Sequence, residues 1–183
     1  PAEELESPAT TAAPTTTAGP TASIGMVYDI GGRGDLSFND MAYAGLERAI
    51  NELGVDGVDL EPSEGGENRA ELLGLLAEQG KDLIIGVGFL FADSITEVAT
   101  ANEGVNFGIV DSVVEPGNVA GMVFTEHEGS FLVGVAAGLK TTTKQVGFIG
   151  GVEFALIQKF EAGFVAGVAA ACPECTVDVK YAT

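Results

Sequence analysis

Residues 24–39 read Ile-Gly-Met-Val-Tyr-Asp-Ile-Gly-Gly-Arg-Gly-Asp-Leu-Ser-Phe-Asn, and this stretch decides the fold. Ile24 to Tyr28 is a short apolar run bounded by a breaker cluster, which predicts a buried strand. The strand ends on a carboxylate, Asp29. Gly31, Gly32 and Gly34 follow, where backbone can turn sharply or lie against a bound molecule. A helix is predicted to open at Ser37-Phe38-Asn39-Asp40, with Ser37 or Asn39 as its N-cap. A strand-end acid, a glycine loop and an aromatic at a helix start together make a ligand site in an α/β protein. Ligand contact is expected to begin here.

Outward from this stretch, strand and helix patterns alternate. Residues 41–53 predict a helix, because Ala42, Leu46, Ala49, Ile50 and Leu53 recur at three- and four-residue spacing before Gly54. A weak strand at 58–61 and a polar loop at 64–68 lead to a second helix at 69–79. That helix carries Leu72, Leu73, Leu75 and Leu76 and is stopped by Gly80. Residues 82–88, Asp-Leu-Ile-Ile-Gly-Val-Gly, form a near-continuous apolar run that suits a central parallel strand. Further helices are predicted at 92–102, 128–139 and 154–171, and strands at 105–110, 119–124, 146–149 and 177–181. The alternation predicts an α/β fold: a doubly wound parallel sheet with right-handed crossovers and helices on both faces. Residues 1–23 differ, being Thr, Ala and Pro with a few acids, and read as an extended tether or an ordinary disordered terminus.

Composition narrows the function classes. Hydrophobic residues make up 46% of the 183, enough for a packed core. Asp and Glu number 27 against 8 Lys and Arg, a net charge of −19. A field of that sign repels phosphate backbones and anionic headgroups, so nucleic acid and charge-driven membrane binding are not expected. No apolar run approaches the ~18 residues a bilayer span needs. Cys172 and Cys175 are the only cysteines and His127 the only histidine. One Cys-x-x-Cys cannot complete a tetrahedral zinc site, so the pair reads as a local disulfide or two free thiols.

Three predicted strands end alike: Tyr28-Asp29 before the glycines, Gly86-Val87-Gly88-Phe89, and Val110-Asp111-Ser112. In an open parallel sheet these ends share one edge, where ligands sit. Asp29 and Asp111 are thus expected to project toward one crevice beside Phe38 and Phe89. Catalysis is not expected. The loop at Gly31–Gly34 lacks dinucleotide-binding spacing, no phosphate loop is present, and His127 has no evident nucleophile. A phosphoacceptor aspartate would need an acidic pair and a later lysine that the sequence does not offer.

The motifs resemble the basic-membrane-protein (PnrA-like) family, solute-binding lipoproteins of ABC importers that bind purine and other nucleosides. The resemblance rests on residues 29–39 with Ala42 and Gly45, then on 82–89, 107–111, 118–119 and 124–128. It continues through Val-Gly-Phe-Ile-Gly-Gly at 146–151 and Phe-Glu-Ala-Gly-Phe at 160–164, in order over 24 to about 181. It implies a type I periplasmic-binding fold, in which two doubly wound lobes close on a ligand. Residues 24–125 are then expected as the first lobe, and 126–183 as the crossover and the beginning of the second. By the resemblance Phe38 stacks on a base, while Asp29, Asn39 and Asp111 hydrogen-bond base or ribose. Ser37, Gly88 and Phe89 complete the expected ligand-binding set, and no metal or other cofactor is expected.

The implied partners are a nucleoside and an ABC transporter permease. The implied location is extracytoplasmic, with membrane attachment only through a lipid anchor. Anchor and signal segment are expected to lie outside this sequence, with residues 1–23 as the spacer behind them. Family members continue well past Thr183, so this sequence is expected to be part of a longer protein. The alternative within the same fold is a ligand-sensing receptor or regulatory protein binding another small molecule.

Overall fold

A computed structural model describes residues 22–182. The stretch expected as a tether therefore lies outside the described residues, except for Ala22 and Ser23. The elements are β1 (Ser23–Val27), α1 (Phe38–Leu53), β2 (Asp56–Leu60), α2 (Arg69–Glu78), β3 (Leu83–Gly86), α3 (Ala92–Ala101) and β4 (Asn106–Val110). They continue with β5 (Val119–Met122), α4 (Glu126–Lys140), β6 (Gln145–Gly150), α5 (Ala155–Ala171) and β7 (Thr176–Tyr181).

β1 to β5 form one parallel sheet in the order β2-β1-β3-β4-β5. Alternate residues of β1 face opposite ways, and each face is covered. Val27 joins Leu73, Leu76, Ile84, Phe91, Ile95, Phe107 and Ile109 in the larger apolar cluster. Met26 and Tyr28 join Leu46 and Val87 in the smaller one, to which Ala42 and Tyr43 of α1 add. Each fully buried large apolar side chain contributes roughly 1.5–3 kcal/mol. The sheet is doubly wound, as the alternation predicts.

β6 and β7 pair in parallel as a second, two-stranded sheet. Beside it α4 and α5 meet through glycines. A Cβ on Gly134 would strike the Phe164 carbonyl, and one on Gly163 the His127 carbonyl. Only glycine permits this backbone-to-backbone approach, which the Ser130 hydroxyl reinforces by donating to the Phe160 carbonyl at 2.6 Å. Past α5, Cys172 and Cys175 are joined by a disulfide, which decides between the two readings of the pair.

Several boundaries differ from expectation by one to three residues, and two of them bear on the site. β3 stops at Gly86, and Phe89–Phe91 form a 3-10 turn that sends the chain into α3. β5 stops at Met122, leaving Val123 and Phe124 exposed before α4. Among the described residues, no helix is long and apolar enough to cross a membrane.

Candidate ligand-binding site

Strand register sets out the site. Val27 pairs with Gly86 and Gly86 with Ile109, so two residues further on Asp29, Gly88 and Asp111 stand in one row. With strands ~4.8 Å apart, the two acids are about 10 Å from each other along the edge. In the order β2-β1-β3 the winding reverses between β1 and β3, and open α/β sheets bind ligands at such a switch point. Asp29 and Gly88 flank it. A Cβ on Gly88, whose φ is 110°, would lie 2.8 Å from Asp29 Oδ2.

The glycine loop behind Asp29 is filled by the protein's own carboxylates. Asp40 accepts the N–H groups of Gly34 and Leu36, each at 2.8 Å. Glu61 accepts that of Arg33 at 3.1 Å. Asp35 accepts those of Ser37, Asn39 and Asp40 at 2.9, 2.9 and 3.1 Å, and these bonds, that from Asn39 foremost, hold its carboxyl below the usual range. A phosphate-binding nest needs free N–H groups, and here six are occupied. Of the two expected N-caps, Ser37 holds that position in α1 and Asn39 does not; Ser37 makes no side-chain capping bond, and the Asp35 carboxylate accepts the first-turn N–H groups instead. Asn39 lies one residue inside α1, buried, with its Oδ1 accepting the Asp29 N–H at 3.0 Å. It fixes the backbone that presents Asp29.

Asp29 has a partner, Arg69, far from it in sequence. Its Oδ1 accepts the Ile30 N–H at 2.8 Å and a bond from Arg69 Nη2 at 3.3 Å. Arg69 opens α2, with its side chain 12% exposed against 19% for that of Asp29. It also donates to the Gly66 carbonyl at 3.1 Å and lies 5.4 Å from the Phe91 ring centroid. Its Nε is buried without a hydrogen-bond partner. A cation at a helix N-terminus, where the helix dipole disfavours it, hints at a partner, but nothing local links residue 69 to residue 29.

Phe38, the first residue of α1, is partly exposed, which leaves its ring open to a contact from outside the described residues. Phe89 stacks on Phe154 at the start of α5, with centroids 5.3 Å apart and an interplanar angle of 20°. Nothing in the local sequence around Phe154 signals this contact. Asp111 caps the row at φ 63°, and burial, followed by the charge of Glu126 and offset by Lys159, raises its carboxyl above the ordinary value. Ser37 is exposed and its N–H is already used. The arrangement offers a partly exposed ring, a carboxylate anchored by Arg69 and a second, partly buried carboxylate at Asp111, suited to a ligand with a flat face and several donors. Among the described residues no three His, Cys, Asp or Glu side chains cluster to hold a metal ion. A groove of about 790 Å³ between α4 and α5, lined by Phe131, Leu132 and Ala166, lies outside this row.

Residues 22–183 match the family model for PnrA-like substrate-binding proteins of ABC transporters. A CD4+ T-cell-stimulating antigen of Listeria innocua is 41% identical over 161 residues, covering 85% of this chain and 45% of the relative. The ABC transporter nucleoside-binding protein BmpA of Lactococcus lactis is 35% identical, covering 85% and 46%. A crystal structure of an ABC transporter solute-binding protein from Aeropyrum pernix superposes with a TM-score of 0.76 at 32% identity, covering 87% and 46%. The chain spans about half the length of the curated relatives it matches.

Proposed function

The chain belongs to the PnrA-like family of ABC transporter substrate-binding proteins, and we propose that it contributes one jaw of a nucleoside-binding cleft. The carrying observation is the row Asp29, Gly88, Asp111 at the sheet's switch point, with the partly exposed Phe38 ring opening the helix after the first strand. In this reading Phe38 stacks on the base, an aromatic contact worth ~1–3 kcal/mol per base in nucleic-acid systems. The two carboxylates accept N–H and O–H donors, and an analogue lacking those donors leaves a carboxylate unpaired at a cost of roughly 1–3 kcal/mol or more. A glycine loop closed by its own acids favours a nucleoside over a nucleotide, since it keeps no N–H cradle for phosphate.

Residues 24–125 serve as the first lobe, and 126–183 as the crossover and start of a second lobe that closes over the ligand. The protein works outside the cytoplasmic membrane, tethered through a lipid anchor, and delivers its ligand to an ABC permease without catalysing a reaction. Calorimetric titration of the full-length protein with adenosine, guanosine, inosine and free sugars tests this. Saturable heat with nucleosides supports the reading. Heat from sugars alone, or from none of the four, refutes it.

A further inference from the structure

The described residues carry two sets of elements: β1 to β5 with α1 to α3, and β6 and β7 with α4 and α5. Extensive packing stays within each set, α4 lying on α5, β6 on β7 and α2 on α3. The chain passes from one set to the other at residues 123–125, where Val123 and Phe124 are exposed. Hinged proteins absorb the rotation of one unit against another in a few connecting residues of this kind. Away from that connection, the stack of Phe89 on Phe154 bridges the two sets, its ring centroids 5.3 Å apart and its planes 20° from parallel.

Each ring is carried on backbone tied to its own set. Phe89 opens the 3-10 turn after β3, which the Phe91 N–H closes on the Gly88 carbonyl at 3.2 Å, and Phe91 itself is fully buried. Phe154 is the N-cap of α5, where its carbonyl accepts the Gln158 N–H at 2.9 Å. Neither ring belongs to the apolar clusters of the first sheet, and Phe154 stays half exposed. The stack can therefore part without opening either cluster. Phe89 directly follows Gly88, so the bridge stands beside the row of Asp29, Gly88 and Asp111.

We propose that Phe89 and Phe154 form a latch between the two sets, stacked when the second set lies against the row and parted when it swings away about residues 123–125. Phe154 is thus a positioning residue: it acts through Phe89 and sets how far the cleft stands open. Ring stacking of this kind favours the closed arrangement about 2- to 10-fold. A closed arrangement that is already populated leaves a ligand less of the equilibrium to shift. This role rests on the two-lobed part of the proposed function and not on the identity of the ligand.

Double electron–electron resonance tests it in the ligand-free full-length protein, with spin labels at the exposed positions Glu97 of α3 and Lys140 of α4. Cys172 and Cys175 are joined to each other and take no label. The unmodified protein is expected to show a shorter and a longer distance. Phe89→Leu and Phe154→Leu keep apolar bulk but lose the flat face, and each lowers the ratio of shorter to longer about 2- to 10-fold. Phe154→Tyr keeps the ratio, and the double Leu variant falls no further than either single one. A ratio unchanged in both Leu variants, effects that add in the double variant, or an unmodified protein without the shorter distance overturns the latch. Adenosine is then added to the same samples. Closure on adenosine, with the Leu variants unchanged before its addition, keeps the nucleoside reading and overturns the latch. The expected ratios with no response to adenosine do the reverse.

Discussion

Arg69→Met keeps the length and apolar stem of the side chain while deleting the guanidinium that anchors Asp29. Three contacts go: the 3.3 Å ion pair, the 3.1 Å bond to the Gly66 carbonyl and the approach to the Phe91 ring. Breaking a fully buried pair by removing one partner costs about 3–5 kcal/mol. Here both groups keep some water contact and the pair is long, so about 2–3 kcal/mol is the better figure. Against it stands the buried, unpartnered Nε, whose removal returns about 1 kcal/mol. The net loss is then about 1–2 kcal/mol, a fall in Tm of roughly 2–8 °C for a chain of this size. Urea or thermal unfolding of the ligand-free protein reads the first number. A double-mutant cycle with Asp29→Asn reads the coupling, expected at about 1 kcal/mol or more for groups in direct contact. Nucleoside affinity falls tenfold or more, because Asp29 retains the Ile30 N–H but loses the cation that orients it. Unchanged stability with additive single-variant effects would refute the anchoring role.

Gly88→Val places a branched side chain at φ 110° and against Asp29 Oδ2, so calorimetry should show ligand affinity down at least tenfold while circular dichroism stays helical and sheet-like. Binding within twofold of the unmodified protein would show that Gly88 is not at the site. Gly163→Val forces α4 and α5 apart at the His127 carbonyl, and unfolding should report a loss of about 1–3 kcal/mol, the usual cost of overpacking. Asp35 is stabilised as an anion by backbone N–H groups, so its folded value lies below its unfolded one. Its contribution is complete above the unfolded value, ~3.9, and is lost as pH falls through the lower folded value. Hydrogen exchange at the Asn39 and Asp40 amides should accordingly lose protection only in strong acid, and at every pH in Asp35→Ala.

The architecture was legible because it is written in local periods. Leu46 and Ile50 mark one helix face, the run at 82–88 marks a buried strand, and parallel strands of matched length bring Asp29, Gly88 and Asp111 level. The capping residue was less legible: Ser37 and Asp35 offer comparable cap chemistry within one glycine loop. The positive φ of Leu36 turns the backbone so that three N–H groups converge on Asp35. The pairing of Arg69 with Asp29 was not legible. The two lie 40 residues apart in sequence, and an arginine at a helix start looks the same whether it faces water or a partly buried acid. Phe154 was hidden likewise, since its stacking on Phe89 joins the turn after β3 to the start of α5, far apart in sequence.

The central claim, that a nucleoside base lies on Phe38 at this strand edge, is tested most directly by transferred NOE. Purine nucleoside and full-length protein carrying 13C-labelled phenylalanine are mixed, and Phe38 is assigned by its loss in Phe38→Leu. The account predicts cross-peaks from the Phe38 ring to the base protons, with affinity down roughly 5- to 150-fold in Phe38→Ala. Cross-peaks to other rings alone, with affinity unchanged in Phe38→Ala, would contradict it.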